Sequence, residues 1–457
     1  MPRVRPTVPL DREAQAYWCP EAQLLEAAKA DDIDTATQLL NDGVDPDVLL
    51  NDWTPLLKAA FHGAEAVIGL LIEAHANVNK CDDNGWTPLY VAAQNGWDKV
   101  VALLLAANAE VDLCTKDGAS PLHIAAAFGF HAVDGATPLA VAVQQGHVAV
   151  VAQLLSRNAE LATCTPDGAT ALFVAAQYGL DAIVGLLLQA GATTGATPVY
   201  VAAQNGHAGV VALLLGANAD IAQRLNDGFS PLYAAAQNGH DAAVALLVDA
   251  GADANEAAGD GSTALFVAAQ NGHQTVVSLL LAADAAANAT NHDGATPLYV
   301  AAMNGHDATV AMLIRAGASI NQPIADGSTP LHVAARHGHR NVVVLLVNAH
   351  AMVNRCRKDG ATPLFGAAQK GHSSVVVLLL KSKADVEGKT PLWAAAEAGH
   401  TDVVTLLLLA KANPHRTDNL GRTPLNIAVE NGHAAVVSAL MDAQATAQRS
   451  KTYVKAP

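Results

Sequence analysis

The sequence predicts an all-α solenoid, right-handed and elongated, of stacked helix-turn-helix units joined by short β-hairpin fingers. Three observations carry this prediction. The tripeptide Thr-Pro-Leu or a near variant recurs along the 457 residues, with its Pro, or the Ala replacing it, at 55, 88, 121, 138, 171, 198, 231, 264, 297, 330, 363, 391 and 424. Nine of the twelve steps are 33 residues, as in a repeat array whose units contact only their neighbours. Hydrophobic residues are 51% of the chain but aromatics only 4%, so Ala, Leu and Val dominate the apolar mass and suit closely packed helices.

Each element has a local reason. In the unit from Asp293, Asp293-Gly294 is a tight-turn dipeptide. Thr296 followed by Pro297 is an N-cap with proline at the first helical position, where a missing N–H costs nothing. Gly305 ends this first helix in the left-handed conformation glycine tolerates. His306 opens a second helix in which Val310, Leu313 and Ile314 recur at helical spacing, and Gly317 ends it. A unit of this kind cannot bury its own apolar face, so stacking is obligatory.

Residues 1–20 read as an extension, 21–49 as a degenerate capping repeat without the Thr-Pro, 50–444 as about thirteen repeats and 445–457 as a tail. Three steps break the period. The 17-residue step from Pro121 to Pro138 removes nearly all of one second helix, giving a truncated repeat near 118–134 and an expected kink or exposed apolar surface near 127–139. The steps of 27 and 28 residues ending at Pro198 and Pro391 instead shorten the fingers near 190–196 and 383–388.

These residues resemble the ankyrin-repeat family, with its 33-residue period and Thr-Pro-Leu-His-x-Ala signature. Ser120-Pro121-Leu122-His123-Ile124-Ala125-Ala126 and Thr329-Pro330-Leu331-His332-Val333-Ala334-Ala335 follow it closely. The resemblance implies a non-catalytic scaffold or adaptor that binds a partner protein through a concave groove, lined by the ends of the first helices and by the fingers. The groove candidates are Gln94, Asn95, Gln177, Tyr178, Gln204, Asn205, Gln237, Asn238, Gln270, Asn271, Met303, Asn304, Arg336, His337, Gln369 and Lys370. The clustered deviations Ala127-Phe128, Gln177-Tyr178, Met303 and Arg336-His337 are where specificity is expected. One residue after Thr-Pro-Leu, eight positions are aromatic (Tyr90, Phe173, Tyr200, Tyr233, Phe266, Tyr299, Phe365, Trp393), and they are read as packing between repeats.

The formal charge of −16 disfavours binding to a phosphate backbone and favours a partner with basic or extended segments. Nine of the eighteen histidines (His147, His207, His240, His273, His306, His339, His372, His400, His433) follow the glycine that closes a first helix. Equivalent positions in neighbouring units lie some 8–10 Å apart, too far for the roughly 2.0 Å bonds of a shared zinc, so capping is expected. His337 and His339 lack a third ligand at a sensible spacing. Cys81, Cys114, Cys164 and Cys356 share one finger register and Cys19 stands outside it; all are expected as free thiols. Gly388-Lys389-Thr390 only imitates a phosphate-binding loop, since position 383 is Lys383 rather than Gly.

No enzymatic motif and no cofactor site is read. Neither nucleic acid nor membrane is expected as a partner, the chain is read as a monomer, and the expected compartment is the cytoplasm, with the nucleus as alternative. An acidic finger series (Asp117, Asp134, Asp167, Asp227, Asp260, Asp293, Asp326, Asp359) is ascribed to turns, because each Asp precedes Gly. The alternative functions are an enzyme subunit, or a regulatory substrate. Asn79, Asn255, Asn321 and Asn354 each follow a leucine eight residues earlier, a spacing similar to asparaginyl-hydroxylase targets in ankyrin proteins.

Overall fold

Thr296 marks where the chain turns helical: its hydroxyl accepts the Tyr299 N–H at 3.2 Å, and Pro297 takes the first helical position. Gly305, at φ 76°, closes that helix. The same start recurs at Thr54, Thr87, Thr137, Thr170, Ser230, Thr263 and Thr362. A computed structural model describes residues 19–113, 137–161, 169–194, 196–222, 228–388, 390–418 and 420–453.

The chain forms two compact units, Met1–Ala202 with His207–Asp220, and Ala203–Gly206 with Ile221–Pro457. In the first, helix pairs follow one another: α1 Pro20–Ala30 with α2 Ile33–Asn41, α3 Pro55–His62 with α4 Glu65–Glu73, α5 Pro88–Asn95 with α6 Asp98–Ala106, α7 Pro138–Gln144 with α8 Val148–Ser156, and α9 Ala171–Gln177 with α10 Asp181–Gln189. Helix α11, Ala196–Asn205, precedes α12, Ala208–Gly216. The second unit pairs α13 Pro231–Asn238 with α14 Asp241–Asp249, α15 Ala264–Asn271 with α16 Gln274–Ala282, α17 Pro297–Asn304 with α18 Asp307–Arg315, and α19 Pro330–His337 with α20 Arg340–Asn348. It continues with α21 Pro363–Gln369 and α22 Ser373–Lys381, α23 Pro391–Ala398 and α24 Thr401–Leu409, and α25 Pro424–Glu430 and α26 Ala434–Tyr453. The last helix therefore runs on into the stretch read from sequence as a tail.

Within each unit, first helices pack on first helices and second on second. The core is what composition predicts. Leu298, Ala301 and Ala302 of α17 and Val310 and Leu313 of α18 are fully buried, each large side chain contributing about 2 kcal/mol of apolar burial. Of the aromatic register, Tyr90, Tyr233, Phe266 and Tyr299 are buried, while Phe173, Tyr200, Phe365 and Trp393 are half-buried.

Three findings depart from the sequence reading. First, the fingers hold no extended ladder: among the described residues only the isolated bridges Leu50–Trp53 and Ala257–Thr263 occur. Side-chain turns shape the fingers instead, as where the Asp82 carboxylate accepts the Asn84 and Trp86 N–H groups. Second, α11 starts at Ala196, which places Pro198 inside the first turn rather than at its first position. A first-turn proline is harmless because its N–H would have no helical partner.

Third, the helices on either side of the 17-residue step are not left without partners. Helix α5 packs directly on α7, and α6 on α8. His147 donates to the Gln94 carbonyl at 3.0 Å across 53 residues, a bond that spans 36 residues in regular units. The Glu160 N–H reaches the Asp112 carboxylate across 48 residues instead of the regular 31. Leu139 is buried, so the exposed surface expected at 127–139 is absent from its described end; the truncated repeat, with Ala127 and Phe128, lies outside the described residues.

Candidate functional site

The glycine that closes each first helix and the histidine after it build the frame of the candidate edge. The ring does not cap its own helix. The Nε2–H groups of His240, His273, His306, His339 and His372 donate to the carbonyls of Gln204, Gln237, Gln270, Met303 and Arg336 at 2.9–3.0 Å, each 36 residues earlier. The first unit repeats this at His207 with Gln177, and Trp97 makes the same bond through its indole N–H to Phe61. Capping was expected of these histidines, but its target, the end of the preceding unit's first helix, was not legible from one repeat.

The candidates divide by what their side chains already do. The amides of Asn238, Asn271 and Asn304 donate to the carbonyls of Gln204, Gln237 and Gln270 at 2.8–3.1 Å, and Asn95 donates to Phe61 and Val91. These asparagines therefore stitch neighbouring repeats together. Gln204, Asn205, Gln237, Gln270, Arg336, His337 and Lys370 are exposed along the same register, with Met303 and Gln369 half-buried. In the first unit Gln177 and Tyr178 are exposed and Gln94 is half-buried.

Four of the candidates converge. Met303, Arg336, His337 and Lys370 line one surface cavity of about 510 Å³, together with Tyr299, Asp326, Arg357 and His372. A second, of about 190 Å³, shares His332, Arg336 and Arg357 with it and adds Gln369, Phe365 and Gly366. The remaining candidates are not lining residues of either cavity.

Inside this site Arg357 lies 3.4 Å from Asp326 and 3.6 Å from Asp359. Burial works to raise the Asp326 carboxyl, but the Ser328 N–H and hydroxyl and the Arg357 guanidinium outweigh it and hold the acid below its usual range. His332 is buried; its Nδ1 accepts the Thr329 N–H at 3.1 Å, and burial depresses the ring to about 4. His337 sits with its ring 6.0 Å from that of His339 and donates through Nδ1 to the Val333 carbonyl. Sequence reading missed Arg357 and Asp326 as site residues, because finger residues meet the helix ends only after folding, and it read the helical Tyr299 only as packing between repeats.

Gly366 is unusual. It lies inside α21 without a left-handed φ, where the two preceding units carry Val300 and Val333 and the next carries Ala394. A Cβ there would make ordinary contact with Arg336 Cβ at 3.4 Å. Gly366→Ala is therefore expected to raise the urea midpoint, with a gain of about 0.5–1 kcal/mol from the helix-interior glycine removed. An unchanged or lower midpoint would mean that the backbone needs glycine there.

The finger asparagines also have a defined task. Asn79, Asn255, Asn321 and Asn354 each accept, through Oδ1, a backbone N–H 31 residues onward, at Glu110, Ala286, Met352 and Asp385. In the shortened finger the longer Glu387 side chain makes the corresponding bond to Asn413 N–H across 26 residues. The acids Asp260, Asp326 and Asp359 accept the N–H two residues on, as their turns require; Asp117, Asp134, Asp167 and Asp227 lie outside the described residues. Cys19, Cys81 and Cys356 form no disulfide among the described residues, and the Cys19 sulfur accepts the Ala22 N–H at the start of α1; Cys114 and Cys164 lie outside the described residues, as does Lys389 of the loop imitation.

A sequence model of ankyrin repeats, built as three copies, matches residues 24–117, 66–133, 129–195, 190–258, 250–324, 316–388 and 382–450. The crystal structure of the human ASB11 ankyrin repeat domain is similar at 30% identity and a TM-score of 0.44, covering 47% of this chain and 98% of that one. No curated protein matches the chain.

Proposed function

The chain belongs to the ankyrin-repeat family, and from that premise we propose that it is a non-catalytic scaffold or adaptor whose first-helix ends form the binding edge for a partner protein. Ankyrin repeats are generally protein–protein interaction modules and typically non-catalytic. Among the described residues no helix is long and apolar enough to cross a membrane.

The observation that carries the reading is the histidine ladder. It pins the backbone under Gln237, Gln270, Met303 and Arg336 by bonds of 2.9–3.0 Å, so the edge is ordered before a partner arrives and little freedom is lost on binding. Under this reading the protein works as a cytoplasmic monomer, and its overall acidity steers partners with basic or extended segments toward it. Hydroxylation of the finger asparagines is disfavoured as the primary role, because their side chains are engaged between repeats.

The test compares proteins captured by the wild-type full chain, by Gln237→Ala/Gln270→Ala/Met303→Ala, and by Thr275→Ala/Ser278→Ala at exposed positions of α16. Asn238, Asn271 and Asn304 are left intact because they hold the stack. A partner retained by the α16 variant and lost from the edge variant is the expected result. Identical captures by all three would defeat the edge reading.

A further inference from the structure

The −16 charge is not evenly spread. Residues 315–383 carry nine Lys/Arg (315, 336, 340, 355, 357, 358, 370, 381, 383) against two Asp/Glu (326, 359), a net +7. The other residues carry 17 Lys/Arg against 40 Asp/Glu, a net −23. This stretch forms α19 to α22 and the fingers between them, and it surrounds the two adjoining cavities.

We propose that these cavities are a binding site for an acidic peptide segment, with Arg336 and Lys370 receiving its carboxylates. The inference rests on the protein-binding reading above and gives the partner's chemistry at this part of the edge.

Three observations support it. The acids Asp326 and Asp359 both pair with Arg357, while Arg336 and Lys370 are exposed and make no ion pair among the described residues. The guanidinium fork of Arg336 suits a carboxylate geometrically, and Lys370 supplies a second cationic head at the same cavity. The half-buried Met303 gives an apolar wall beside these charges.

Gly366 supplies the second feature of the site. Where the two preceding units place a buried valine, it leaves the 190 Å³ hollow beside Arg336 open, although its backbone conformation does not call for glycine. The pocket therefore combines free cationic heads with space that the repeat pattern elsewhere fills. Net charge alone points to basic partners; at this site the local charge reverses that preference.

The experiment uses the full chain and fluorescence anisotropy with a short labelled peptide of alternating Glu and Gly. Its Gln-Gly and Lys-Gly counterparts and a labelled oligothymidylate serve as comparisons. The expected result is salt-sensitive binding of the Glu peptide alone. Arg336→Glu/Lys370→Glu should weaken it by about tenfold or more, and Gly366→Val should weaken it without any change of charge. Circular dichroism of both variants checks folding, and the Lys-Gly peptide should gain affinity for the charge-reversed variant, which an unfolded chain would not produce.

Equal binding of the Glu and Gln peptides, a charge reversal without effect, or preference for the oligonucleotide would overturn the inference. If cellular partners disappear with the Gln237/Gln270/Met303 variant while the Glu peptide never binds, the edge reading survives and this one falls. If the peptide binds as described but no cellular partner depends on the edge, the reverse holds.

Discussion

Gly239→Ala is expected to destabilise the second unit by about 2–3 kcal/mol, while the same change at Gly251 costs about 1 kcal/mol. Both glycines are left-handed, with φ 76° and 88°, so both substitutions force alanine into a region its Cβ disfavours. They differ in what the new Cβ meets. At Gly251 nothing lies within 4 Å; at Gly239 the His273 ring lies in the way, its Nδ1 at 2.5 Å. That ring cannot move aside freely, because its Nε2–H is bonded to the Gln237 carbonyl at 3.0 Å. Alanine at 239 therefore adds the loss of one inter-repeat hydrogen bond, about 1 kcal/mol, to the backbone strain.

In a stack whose stability sums over units and their interfaces, this loss should be local. Amide exchange should quicken in α13 and α15, flanking the junction, before it quickens in α23. Equal costs at Gly239 and Gly251 would show that glycine is needed only for its φ, and that the histidine ladder contributes nothing.

The same contrast explains how much was legible in the sequence. The Thr-Pro start, the glycine stop and the apolar spacing are local signals, and the helices they mark formed. The histidine register was equally visible, but its meaning depended on a carbonyl 36 residues earlier, which no local rule points to. Asn238 and Asn304 were read as groove candidates for a partner, yet stacking turns their amides onto the preceding unit. The 17-residue step looked like missing support because the reading assumed that sequence neighbours must be stacking neighbours. Helices α5 and α7 meet instead, and His147 finds its usual acceptor across the longer interval.

At the cavity the difficulty was of another kind. Arg336 and His337 were picked out as deviations and Lys370 as a groove candidate, but whole-chain charge concealed the basic character of residues 315–383. Counting charge in windows one or two repeats long would have exposed it. Such a window could not have placed Arg357 between Asp326 and Asp359, because that requires fingers of successive units to lie side by side.

Stability should also fall as pH drops from about 6.5 toward 4, by up to about 3 kcal/mol from His332 alone. Burial first, helped by the nearby Arg357 charge, depresses this histidine to about 4, against the partial support that the Ala361 and Arg355 backbone and Asp326 give the protonated ring. The geometry gives the same sign. Nδ1 accepts both the Thr329 N–H and its hydroxyl, at 3.1 and 2.8 Å, so a second ring proton has to displace those bonds. Above pH 6.5 the ring is neutral in folded and unfolded chains and contributes no pH dependence. Between 6.5 and 4 the unfolded chain takes up a proton that the folded chain refuses, and the balance moves toward unfolding. Asp326 acts lower: its carboxyl is held below the usual value, so the stability it adds is lost only as pH falls through that depressed value.

The last repeat suggests the control. There Asn426 occupies the equivalent position, and its Oδ1 accepts the Thr423 N–H and hydroxyl at 3.0 and 2.7 Å with no group to titrate. His332→Asn can form the same pair of bonds. Whatever it costs at neutral pH in lost packing, its urea midpoint should decline less than that of wild type between pH 6.5 and 4.5. Parallel curves would mean that His332 is protonated in the fold without penalty, and that the acid sensitivity of this repeat lies in its carboxylates.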